Sequence, residues 1–433
     1  MKKRLLKILS VLLSVVIIIV SITFIKRDKP VNQKTEITED TATNPTEEKS
    51  TQITTTEPTT ESTTETTTET TTESTTVYIE PPVSATSPEL QELVNSVAEK
   101  YGAVGIQVAT IKDGKVTSTA EYGWAEIDTK KMETDTKIRI ASLSKTVVGM
   151  VVMKLVDEGK IDIDKDISDY LGVKVRHPEF PDISITLRMI LTHTSGLYDG
   201  EYKESLEELQ EYLLAPEAYK EKPGEIYRYN NFAFGVAGTI CECVTGKSLN
   251  NLAKQYFFNP MGISASYLAG QLDVNKIATI YDSKGEVGIS AEKLARAKTD
   301  RNKIGRFMML YSGGLTTSAY DLAKLLTVLV NDGAYKGKQL LSKESVALMQ
   351  TQQLQYNTQQ CMVVKKKTGL YNQDYLYYHT GSAYGVYSLY TYNPEEKTGV
   401  VVITTGAQST RDKYGIYAVC GDITNEIYVK NLL

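Results

Sequence analysis

Between Asp28 and Ser87 the chain has almost nothing from which to build a core. Glutamate recurs at positions 57, 61, 65, 69 and 73 within Thr-Thr-Glu repeats, and no aromatic residue appears before Tyr78. Such a segment buries too little apolar surface to offset the entropy of ordering it. It is expected to be an extended, disordered stalk, spanning roughly 40–45 Å as a flexible coil and more if its charges repel. The stalk therefore divides the 433 residues into a short leader (1–27), the stalk itself (28–87) and one large folding unit (88–433).

The leader begins Met1-Lys2-Lys3-Arg4 and continues into an uncharged run from Ile8 to Ile25. As a helix that run would be about 27 Å long, close to the hydrocarbon thickness of a bilayer. It ends in Thr23-Phe24-Ile25-Lys26-Arg27, without a small-x-small cleavage site or a lipobox cysteine. The expectation is an uncleaved single-pass signal anchor in the cell membrane. With more basic residues on its leading flank, the N-terminus stays inside and the large unit is extracellular.

Formal net charge is −5, and much of the negative charge sits in the stalk, which argues against nucleic acid as a partner. Only three histidines occur (His177, His193, His379), scattered without metal-ligand spacing, so no metal and no cofactor is expected. The four cysteines (Cys241, Cys243, Cys361, Cys420) permit disulfides without requiring them. The pair at 241 and 243 points in different directions on a helix and reads as core rather than metal.

Ser87-Pro88-Glu89 reads as an N-cap, an N1 proline and an acidic first turn, opening a helix to about Tyr101. Val104–Thr110 and Val116–Glu126 read as strands around an Asp113-Gly114 turn. Tyr384–Tyr392 and Gly399–Thr405 read as a second strand pair, followed by a last helix over about 414–429. Strands at both ends of a helical middle predict an α+β domain: one antiparallel sheet from N- and C-terminal strands, flanked by helices, with an inserted helical region.

Ile138-Arg139-Ile140-Ala141-Ser142-Leu143-Ser144-Lys145 runs from strand-like sequence into the apolar helix Thr146–Leu155. Ser142 then lies at a helix N-terminus, where backbone N–H groups favour a developing anion. Lys145, three residues on, shares its helix face. A serine attacks only when a base takes its proton, and a desolvated lysine can be that base. The four residues alone fit a plain N-cap better than a nucleophile. Ser144 lacks a lysine three residues on and is the weaker nucleophile candidate.

Taken together, Tyr122-Gly123-Trp124-Ala125, the segment Ile138–Lys145, Gly159-Lys160-Ile161-Asp162, Leu191-Thr192-His193-Thr194-Ser195-Gly196-Leu197, Tyr229-x-Asn231, Gly313-Gly314-Leu315-Thr316-Thr317 and His379-Thr380-Gly381 form an ordered set. This set resembles the serine penicillin-binding protein and class C β-lactamase superfamily, over nearly all of residues 88–433. The resemblance implies that Ser142 is acylated, with Lys145 and Tyr229 managing its proton. It implies further that Asn231, His379, Thr380 and Gly381 bind substrate, with an oxyanion hole from the amides of Ser142 and Ser382.

His193 is expected to organise a loop, and His177, before Pro178, to be exposed. About half of the tyrosines at 371, 375, 377, 378, 384, 387 and 390 are expected in the core. The departure from the family pattern is His379, where lysine is common. It favours a D,D-peptidase or esterase acting on D-amino-acyl groups of cell-wall peptide or a teichoic-type polymer. A β-lactamase is the second expectation, and a non-catalytic wall-binding protein the third.

Overall fold

The computed structural model describes residues 86–300, 303–354 and 359–433. The leader, the anchor and the stalk up to residue 85 lie outside the described residues. Among the described ones, no helix is long and apolar enough to cross a membrane.

Ser87 caps helix α1 (Pro88–Tyr101) by accepting a hydrogen bond from the Leu90 amide at 3.1 Å. The chain then forms the hairpin β1 (Gly105–Lys112) and β2 (Lys115–Glu126), with β3 (Lys130–Lys131) at the edge. Helix α2 (Ser144–Asp157) opens the helical region, which also contains α3 (Phe232–Thr245) and α4 (Ala319–Val330). Strands β4 (Lys365–Thr368), β5 (Tyr375–Ala383), β6 (Val386–Asn393) and β7 (Thr398–Thr405) follow, and α5 (Ala418–Val429) closes the fold. The sheet order is β4-β5-β6-β7-β1-β2-β3, antiparallel at every step. The N-terminal hairpin joins the C-terminal strands through β1 and β7, from Gly105 opposite Thr405 to Ile111 opposite Gly399. This is the expected α+β arrangement.

The two faces of the sheet pack different layers. Ile106, Val108, Leu389, Val400 and Val402 face one way, onto Leu90 and Val94 of α1 and Ile423 and Ile427 of α5. Their neighbours Ala109, Ile111, Tyr390, Val401 and Ile403 face the helical region. Successive strand residues point to opposite faces, so covering both faces makes β6 buried at all eight positions. It also corrects the expectation for the tyrosines. Residues 371, 377, 378, 387 and 390 are all buried, leaving Tyr375 partly buried and Tyr384 exposed.

His177 is a second correction, being buried. Its ring packs on Phe180 and Tyr219, and its Nδ1 accepts the Glu179 amide at 3.1 Å. The four cysteines are free thiols, with Cys241 buried in α3 as a core residue. The last helix begins at Ala418, later than expected, because residues before it form a loop in which Asp412 accepts the amides of Tyr414 and Ile416.

Candidate active site

Ser142 occupies a single 3₁₀ turn, Ala141–Leu143, that runs directly into α2. Ala141 before it has a φ of 52°, a left-handed conformation that a residue with a side chain seldom adopts. The local sequence separates the two serines. The buried Ser144 hydroxyl donates to the Ala141 carbonyl at 2.6 Å and accepts the Leu315 amide at 3.0 Å, so it fastens the turn to the Gly313-Gly314-Leu315 segment. Ser142 makes no capping bond to the helix and faces the cleft instead.

Lys145 is fully buried. Its Nζ lies 3.2 Å from Ser142 Oγ, 2.9 Å from Asn231 Oδ1 and 2.6 Å from the Ser312 carbonyl. Two of these partners are carbonyl oxygens and can only accept. They take two N–H groups, so the third tetrahedral direction, toward Ser142, carries either a hydrogen or the amine lone pair. Burial lowers the Lys145 pKa to about 7, partly opposed by the negative Asp199. Near neutrality the lone pair is therefore populated and aimed at the hydroxyl to be deprotonated.

Tyr229 borders the same cavity as Ser142, and its phenol interacts with that hydroxyl. Burial raises its pKa, so at neutral pH it is a phenol, able to pass a proton rather than hold a charge. His193 fixes its position. The rings lie 4.4 Å apart, His193 Nδ1 accepts the Asn230 amide at 3.1 Å, and its carbonyl accepts the Arg228 amide at 2.8 Å. Burial depresses its pKa well below the ordinary histidine value. It is a loop organiser, as expected.

Asn231 is oriented by Asp199, two residues beyond the Leu191–Leu197 segment. One Asp199 oxygen accepts the amides of Asn231 and Phe232, both at 2.8 Å, and the other accepts Asn231 Nδ2 at 3.1 Å. That turns Asn231 Oδ1 toward Lys145. Asp199→Asn is expected to do two things. It removes the charge that supports the Lys145 ammonium, so the rising limb of a pH–activity profile moves to lower pH. It also sets one amide against another and lowers kcat roughly tenfold. A pH profile of kcat/KM for both proteins checks this.

Strand β5 brings the third motif against the nucleophile turn. A Cβ on Gly381 would lie 2.8 Å from the Ile140 carbonyl, 3.2 Å from the Ser142 amide nitrogen and 2.3 Å from Ser388 Oγ. Glycine is therefore what allows this approach. His379 is buried on the same strand, with Nδ1 2.8 Å from the Thr380 carbonyl. A carbonyl only accepts, so Nδ1 carries the hydrogen and Nε2 is left as the acceptor. Burial first, then the nearby Lys145 and Lys365, push the pKa of His379 down to about 3, so the imidazole is neutral.

The cleft has two halves that share Ser142 and Ser382. One, about 450 Å³, is bordered by Tyr229, His379, Thr380, Gly381, Lys365 and Arg411. The other, about 420 Å³, is bordered by Arg139, Tyr202, Asn231, Met309 and Tyr384. All eight site residues expected from the sequence therefore converge on one cleft. Asp199, Lys365, Arg411 and Ser312 come from separate segments whose meeting only the fold reveals. Among the described residues no cluster of histidine, cysteine and carboxylate side chains could hold a metal ion.

The model of the family described as Beta-lactamase matches residues 90–419. The chain belongs to that family. Beta-lactamase-family relatives include protein flp of Staphylococcus aureus, 22% identical over 332 residues in strain MRSA252, covering 73% of this chain and 62% of that protein. In strain N315 the match is 25% identical over 182 residues, 40% of this chain and 36% of that protein. The chain thus spans less than two thirds of the length of these relatives. The octameric penicillin-binding protein homologue of Pyrococcus abyssi superposes with a TM-score of 0.62 at 22% identity, over 79% of this chain and 77% of that one. A class C β-lactamase of Rhodobacter sphaeroides gives 0.61 at 19% identity, over 80% of this chain and all of that one. These likenesses establish a serine β-lactamase/penicillin-binding-protein fold, and the Beta-lactamase family makes the chain a serine-hydrolase-like protein.

Proposed function

We propose that the chain is a serine acyl hydrolase of the cell envelope that acts on D-amino-acyl peptide or ester groups, held at the membrane by residues 1–27. The observation that carries the chemistry is the Lys145 amine, buried between two carbonyl acceptors with its remaining direction on Ser142 Oγ. In the proposed sequence Lys145 takes the Ser142 proton as Oγ attacks the substrate carbonyl. The oxyanion is held by the amides of Ser142 and Ser382. Tyr229 gives its proton to the leaving group and is reprotonated from the Lys145 ammonium, which restores both groups. In the second half it helps water attack the acyl-enzyme, and the water's proton returns to Ser142 Oγ.

The half of the cleft bordered by Tyr229, the proton donor to the leaving group, supports the substrate class. His379 is neutral and holds no charge for an anion, whereas Lys365 and Arg411 border the same cavity. Such a half suits a leaving group that carries an anion, such as a D-amino acid with a free carboxylate or a polyol phosphate. Thr380, in the same half, supplies a neutral polar contact. Tethering by a stalk suits a wall-bound substrate that does not diffuse.

The test is to incubate the full chain with D-alanyl peptides, D-alanyl esters and a fluorescent penicillin, beside Ser142→Ala. The expected result is D-alanine release and slow-turnover penicillin labelling, both lost in the variant. Rapid β-lactam hydrolysis with inert D-alanyl substrates would replace this proposal with a β-lactamase.

A further inference from the structure

We infer that the second half of the cleft is an acyl-side subsite for a group bearing a carboxylate, recognised by Arg139. The inference rests on Ser142 being the acylated serine, as proposed above. Direction follows from Tyr229, which borders only the first half. The leaving group must lie within reach of the phenol that protonates it, so the acyl remainder extends past Asn231 into the half containing Arg139.

Arg139 is a cation without a counter-ion. Its Nε donates to the Gly313 carbonyl at 2.8 Å, which fixes the plane of the guanidinium. Among the described residues no carboxylate pairs with it, and its terminal nitrogens have no protein hydrogen-bond partner. Tyr384 and Tyr202 border the same cavity beside it. A half-buried guanidinium is expensive unless something completes its hydrogen bonds, and here its open edge faces a cavity. The cavity wall is arranged around it. Tyr384, at the tip of the β5–β6 hairpin, holds a φ of 55° where glycine or asparagine would be unstrained, and its ring centre is 5.2 Å from the guanidinium carbon. That strained, exposed aromatic screens one face of Arg139 from water while leaving the fork open for a planar, two-oxygen acceptor.

The substrate class is therefore an acyl donor with a free carboxylate on its acyl portion, preferred over its uncharged carboxamide. The test uses the full chain and two p-nitrophenyl esters with the same leaving group, one of adipic acid and one of adipamic acid, corrected for uncatalysed hydrolysis. Wild type is expected to show a kcat/KM roughly tenfold higher for the carboxylate ester. The ratio should collapse toward one in Arg139→Gln and survive in Arg411→Ala, which alters the other half.

Equal values in the wild type overturn the inference, and this arm needs no variant to fold. So does a ratio that survives in Arg139→Gln or is lost in Arg411→Ala. Neither ester contains a D-amino-acyl group, so failure of the D-alanyl proposal leaves this comparison readable. Absence of turnover of both esters, with Ser142 unmodified, overturns both.

Discussion

Lys145→Met is expected to slow acylation of Ser142 by about 10³-fold while making the protein more stable at pH 6. The first effect follows from losing a buried base whose free direction is on Oγ. The second follows from linkage. The folded-state pKa of Lys145 is depressed from 10.5 to about 7 by burial. Between those values the unfolded chain binds the extra proton, so wild-type stability rises with pH through that window and is lowest below about 7. The depression corresponds to a cost on the order of 5 kcal/mol at low pH. Methionine fills the same volume without a charge. Thermal melts at pH 6 and pH 9 check this: the variant's advantage should be largest at pH 6 and shrink at pH 9. A variant that is inactive and less stable at both pH values would mean that Lys145 is a structural cation.

Gly381→Ala should lower kcat/KM by about 10²-fold or more without touching a titrating group. Its added carbon would press on the Ile140 carbonyl, the Ser142 amide and Ser388 Oγ at once. Ser388 Oγ already donates to that Ile140 carbonyl at 2.9 Å, so the contact cannot open on one side alone. The strand must move off the turn, and a shift of about 1 Å in reacting groups costs about that factor. Stability should fall by about 1–3 kcal/mol, as for other overpacked cores. Near-normal kcat with a raised KM would indicate that β5 binds substrate without positioning Ser142.

What the sequence made legible depended on spacing along the chain. Ser142 and Lys145 share a helical turn, so their pairing could be read from two positions, and the cap at Ser87 was readable for the same reason. Tyr229 and Asn231 lie on one short segment, and their order relative to the first and third motifs carried the rest. Asp199 gave no signal because its role is to hold a segment 32 positions away. Lys365 and Arg411 lie on different elements and meet only across the cleft. The position before Pro178 does not expose His177, because Phe180 and Tyr219, brought in by the fold, cover it. More than half of the tyrosines are buried because α1 and α5 cover the second face of the sheet.

Peptide mapping of the acylated chain tests the central claim most directly. The full chain is incubated with penicillin or a D-alanyl substrate, quenched in acid, digested and analysed by mass spectrometry. The adduct is expected on the peptide containing Ser142, at its hydroxyl, and is expected to be absent from Ser142→Ala. An adduct on Ser144, or labelling that persists unchanged in Ser142→Ala, would contradict the assignment of Ser142 as the nucleophile activated by Lys145.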